Sequence, residues 1–84
     1  MAMQTREMRN YKGFVIEATP PKLGARGPWG TYLVIRRDRP GGPNLKPFED
    51  DETFETRIEA VRHCFAFGQR IIDGEVDGAS VADL

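Results

Sequence analysis

The stretch "TRIEAVRHCFAFGQRIIDG", residues 56–74, decides how the rest of the chain is read. Thr56 followed three residues later by Glu59 is a capping box, in which each end residue satisfies a backbone donor that a helix start leaves unpaired. At 100° per residue, Ile58, Val61, Phe65, Gly68 and Ile72 fall on one arc. Ala60, Cys64, Phe67 and Ile71 fall on the adjoining arc, while Glu59, Arg62, His63, Gln69, Arg70 and Asp73 take the opposite side. Gly74 is the natural residue to end the helix, because glycine adopts the left-handed conformation at C′ without a Cβ penalty. The apolar arc spans about 180°, against roughly 100° for an ordinary surface helix.

Upstream, the periodicity changes from 3.6 to 2. Residues 11–18, "YKGFVIEA", alternate as a strand with Phe14, Ile16 and Ala18 on one face and Tyr11, Val15 and Glu17 on the other. "TPPKLGARGP" then reads as a connection whose prolines cannot continue a ladder. Residues 29–37, "WGTYLVIRR", form a second alternating run, with Trp29, Thr31, Leu33 and Ile35 opposite Gly30, Tyr32, Val34 and Arg36. "DRPGGPN" supplies a tight turn. Residues 45–54 give a short strand that Pro47 assigns to a sheet edge, since proline has no N–H to donate.

Three strands before one helix predict an α+β domain: a three-stranded antiparallel meander packed on one C-terminal amphipathic helix. Residues 1–10 read as an N-terminal arm, 11–74 as the single domain, and 75–84 as an acidic tail with material for one short extra strand through Val76 or Val81. Tyr11-Lys12-Gly13, Trp29, Phe54-Glu55-Thr56, Gly68 and Ile72-Asp73-Gly74 together resemble the pattern of a family of small bacterial proteins of uncharacterised function. That resemblance covers about residues 11–74. It implies a compact β-β-β-α domain and brings no established activity.

Composition narrows the functional classes. The 84 residues are 39% hydrophobic and 30% charged, with a net charge of −1. No run approaches the roughly 18 apolar residues that a spanning helix needs, and "MAMQTREMRN" contains no apolar signal core. A single cysteine excludes an internal disulfide, and the expected location is cytoplasmic. Charge is unevenly spread: nine basic residues against three acidic up to Lys46, then three basic against ten acidic.

Chemistry-bearing motifs are sparse. His63 and Cys64 are neighbours, but residues at i and i+1 on a helix do not face each other. His63 is therefore expected in water, Cys64 as an inert filler of the core, and His63→Ala as nearly silent. "GARGPWG" leads into a strand, not a helix, so it lacks the converging amides of a phosphate loop. "EDDE" at 49–52 lacks a calcium-loop register and suits an edge strand that repels neighbours. No catalytic, cofactor or metal residues are assigned, and a non-enzymatic role is expected.

Two surfaces remain. Tyr11, Val15, Tyr32 and Val34 point away from the helix and mark an aromatic sheet face suited to a protein partner, a second copy included. Lys22, Arg26, Arg36, Arg37 and Arg39 are the alternative, a cationic set for nucleic-acid phosphates. Gly68, finally, costs the helix about 1 kcal/mol relative to alanine, which points to close approach of helix and sheet, with Trp29 as the expected neighbour.

Overall fold

Lys12 and Gly13 both have positive φ, 49° and 85°, the signature of a two-residue type I′ hairpin turn. The first expected strand is therefore two. The structure, a computed structural model, describes residues 7–84, with β1 at Glu7–Tyr11, β2 at Phe14–Ala18, β3 at Trp29–Arg39, β4 at Gly42–Phe54 and α1 at Arg57–Ile72. The α+β class and the C-terminal helix match the sequence reading, but the sheet has four strands among the described residues where three were expected. The added strand occupies the second half of the expected N-terminal arm; residues 1–6 of that arm lie outside the described residues.

The sheet is an antiparallel meander in the order β1-β2-β3-β4. Pairing places Arg9, Ile16, Ile35 and Lys46 in one row and Glu7, Ala18, Leu33 and Phe48 in the next. Directly opposed residues share a face, so these rows form the surface beneath α1. Ile16, Leu33 and Ile35 are fully buried there. The β3–β4 hairpin turns through Pro40-Gly41, as "DRPGGPN" predicted, with Gly41 at φ 99°.

Pro43 and Pro47 sit inside the 13-residue β4, which is an edge strand, as Pro47 implied. A two-residue turn makes its flanking pair, Arg39 and Gly42, a hydrogen-bonded one, and bonding then alternates. Pro43 and Pro47 therefore occupy positions whose nitrogens face away from β3, and no ladder bond is lost. The 19–28 connection is also more sheet-like than expected. Proline lacks the donor but keeps its carbonyl: the Gly30 N–H donates to the Pro21 oxygen at 2.8 Å, and Leu23 donates to Pro28 at 2.7 Å.

The helix is capped as its sequence indicated. The Thr56 hydroxyl accepts from the Glu59 N–H at 3.2 Å and donates to the Glu59 carboxylate at 2.8 Å. At the far end the Glu75 N–H reaches Arg70 at 2.9 Å and the Gly74 N–H reaches Ile71 at 3.0 Å, a Schellman motif with Gly74 at φ 76°. The buried stripe is Ala60, Val61, Cys64, Phe65, Gly68 and Ile71. It is rotated from the expected arc, leaving Ile58 62% exposed.

Gly68 is the point of closest approach. A Cβ there would lie 3.0 Å from two methyl carbons of Ile16 and from one of Leu33, so the neighbours are those residues and not Trp29. Residues 75–84 add no strand. They fold back irregularly, burying Val81 and Leu84 in the same core. Lys46 anchors them by donating to the Ser80 carbonyl at 3.1 Å and pairing with Asp83 at 3.4 Å.

Candidate functional site

Alternation along β1–β4 gives the sheet a second face, on which no helix of the described residues lies. Its rows are Met8, Glu17, Val34 and Pro47, then Asn10, Val15, Arg36 and Leu45, with Tyr32 opposite Glu49. Val15, Tyr32 and Val34 are half-buried and lie on this face, as their spacing predicted. Tyr11 does not. The turn at Lys12-Gly13 puts it on β1 opposite Phe14, on the helix side, where its hydroxyl donates to the Asp73 carboxylate at 2.8 Å.

In place of Tyr11 the face gains Met8, 53% exposed, and Leu45, 60% exposed. Leu45 was legible, because Leu45 and Pro47 alternate with Lys46 and Phe48. Met8 was not, because "EMRN" carries no alternating apolar signal. At the centre, the Arg36 guanidinium meets Glu17 at 3.1 Å and Asp38 at 3.6 Å. Met8, Val15, Tyr32, Val34 and Leu45 thus share the face with Arg36 and its two acidic partners, and with Asn10 and Glu49.

The cationic set is not gathered. Lys22 bridges to Trp29, the first residue of β3, whereas Arg36 and Arg37 lie toward its other end. At about 3.3 Å per residue, 11 residues separate the two ends by more than 30 Å. Arg36 is engaged by Glu17 on the open face. Arg37 lies over the Phe14 ring at 5.3 Å on the helix face, and Lys22 lies over Trp29 at 5.8 Å. Arg26 is exposed in the connection. The Arg39 side chain lies outside the described residues.

His63 departs from its expected place in water. It is half-buried, its Nε2 2.7 Å from the Asp50 carboxylate of β4. Its ring lies 4.9 Å from Phe54 and stacks on Phe67 at 5.9 Å. Burial acts to raise the Asp50 pKa, but hydrogen bonds from His63, the Glu52 N–H and Thr31 outweigh it and hold it below the usual value. The reason for the misplacement is lateral: β4 runs under the polar flank of α1 and supplies a carboxylate partner from "EDDE".

Cys64 turns the other way, as expected. It is fully buried, and its thiol donates to the Tyr32 carbonyl at 3.4 Å. Burial pushes its pKa up, which favours the unreactive thiol. His63 and Cys64 thus serve opposite flanks of one helix. Among the described residues, no three or more His, Cys, Asp and Glu side chains are grouped to hold a metal ion, and no helix is long and apolar enough to cross a membrane. No family model, curated protein or solved structure matches the chain.

Proposed function

We propose that the protein is a small non-enzymatic interaction module that associates with a second copy of itself through the open sheet face. The observation that carries this reading is the apolar surface of Met8, Val15, Tyr32, Val34 and Leu45 opposite the helix. Antiparallel sheets often leave one face in water, but such a face ordinarily reads as polar. Here the exposed large hydrophobic side chains on it are Met8 and Leu45.

The central Glu17–Arg36 pair favours a second copy over an unrelated partner. In a two-fold interface residue i of one subunit meets residue j of the other, and j meets i. An acid and a base side by side are self-complementary under that operation: each Arg36 can face the partner's Glu17. A chain of this length buries a modest fraction of its surface alone, so sheet-on-sheet packing would enlarge its core.

Sedimentation equilibrium tests the reading directly. A concentration-dependent dimer is expected, and Val34→Glu or Leu45→Glu should shift it to monomer with an unchanged circular dichroism spectrum. A wild-type chain that stays monomeric at high concentration overturns the proposal.

A further inference from the structure

The helix overhangs the sheet on one side. Glu7 and Arg9 of β1, with Arg57, Ile58, Val61 and Arg62 of α1, line an open groove of about 200 Å³, floored toward the core by Phe65. Ile58 is exposed although Val61 and Phe65 beside it are buried. The groove lies where a fifth strand would lie, next to β1 and beneath the start of the helix.

Among the described residues, no strand pairs with the outer edge of β1. The two-residue turn makes Tyr11 and Phe14 a hydrogen-bonded pair, so bonding alternates back along β1. Met8 and Asn10 then direct their N–H and C=O groups away from β2. The opposite edge differs, because two of the outward positions of β4 are Pro43 and Pro47, which have no N–H to offer. Strand addition has a template at β1 and an interrupted one at β4.

Charge identifies what would be added. Among the described residues, Arg9, Arg57 and Arg62 border the groove with one acid, Glu7, which pairs with Arg57 at 3.7 Å. Arg9 packs over the Phe65 ring at 4.6 Å, with its guanidinium held beside the apolar floor. In an added strand alternate side chains face the helix. A central apolar residue would enter between Ile58 and Phe65, and acids two residues to either side would reach the arginines. We infer that the β1–α1 groove binds an extended acidic segment of a partner protein, of the form acid-x-apolar-x-acid, by strand addition to β1. This mode takes affinity from main-chain hydrogen bonds and specificity from pockets for alternate side chains.

The test uses the full chain and a fluorescein-labelled peptide, Thr-Glu-Thr-Leu-Thr-Glu-Thr, with its Lys-for-Glu counterpart as control. Anisotropy should show saturable binding of the acidic peptide, weakened by salt, and none of the basic one. Arg62→Glu should weaken binding by about tenfold or more, since 1.4 kcal/mol is a factor of ten. Asn10→Pro removes only an outward-facing N–H, which an edge strand tolerates, and should abolish binding while the helical signal is retained. Absence of binding, equal binding of both peptides, or indifference to Asn10→Pro overturns the inference. Self-association that is lost in Asn10→Pro but kept in Val34→Glu would make a second copy the occupant and also overturn it.

Discussion

Replacing Gly68 with alanine sets two known effects against each other. Alanine is about 1 kcal/mol better than glycine in a helix interior. Against that gain, the new Cβ would sit 3.0 Å from Ile16 Cδ1, Ile16 Cγ2 and Leu33 Cδ1. Carbon atoms pack best at about 3.5–4.0 Å, so three contacts are each short by about 0.5–1 Å. Ile16 and Leu33 are both 0% exposed and have no outward path of relief. Overpacking of this kind costs about 1–3 kcal/mol. The difference is a net destabilisation of about 1 kcal/mol, or about 4–8 °C in Tm for a domain of this size. Gly68→Val adds two methyl groups to the same crowded spot and should cost more. Urea denaturation of Gly68→Ala beside Ala66→Gly separates the terms. Ala66 is exposed on the same helix, so its change reports propensity alone, about 1 kcal/mol destabilising. Ile16→Val removes one of the crowding carbons, so Gly68→Ala should be better tolerated in that background, with the two changes coupled favourably. A Gly68→Ala variant that melts higher than wild type, or a double variant with no coupling, would refute the close-approach argument.

His63→Ala should destabilise by about 1–2 kcal/mol, through loss of the Asp50 bond and of ring packing on Phe54 and Phe67; a change within about 0.3 kcal/mol in urea at pH 7 would contradict it. Asp73 is held below the usual carboxylate range by the Lys12 ammonium and then by the Tyr11 hydroxyl. A carboxylate depressed in the folded state stabilises at pH above its unfolded value and loses that contribution as pH falls through the folded value. Acid titration of stability should therefore decline below about pH 4, and Asp73→Asn should flatten that decline; an identical acid limb in the variant would remove Asp73 as a source. The Cys64 thiol should resist a water-soluble disulfide reagent at pH 8 in the native state and react fully in denaturant; rapid native reaction would place it at the surface. Leu84→Ala should cost about 2–3 kcal/mol as a buried truncation, measured by thermal melt, whereas a silent change would mean that residues 75–84 do not pack on the core.

What was legible in the sequence was whatever a local rule encodes. Thr56, Glu59 and Gly74 marked the helix ends because caps are satisfied within a few residues. Pro40-Gly41 marked the long hairpin, and Pro47 marked the edge. The Lys12-Gly13 turn was hidden because lysine is an uncommon occupant of a left-handed position, one that costs about 1–2 kcal/mol for a residue with a Cβ. Missing that turn joined β1 to β2 and moved Tyr11 to the wrong face. β1 itself is exposed along most of its length, so no alternation announced it. The partners of His63 and of the 75–84 segment come from β4, through Asp50 and Lys46. Those contacts depend on where β4 passes beneath the helix and tail, which no pattern within either segment encodes.

The two prolines of β4 also bear on how far this protein can assemble. Continuous cross-strand growth needs a receptive edge on each side of every subunit, so that each addition exposes the next template. Pro43 and Pro47 withhold donors on one side, while β1 offers them on the other. Two copies joined β1 to β1 would therefore close, because each would then present only its β4 edge outward. The same two residues that fit β4 into an antiparallel ladder interrupt that edge at positions where a further strand would need donors.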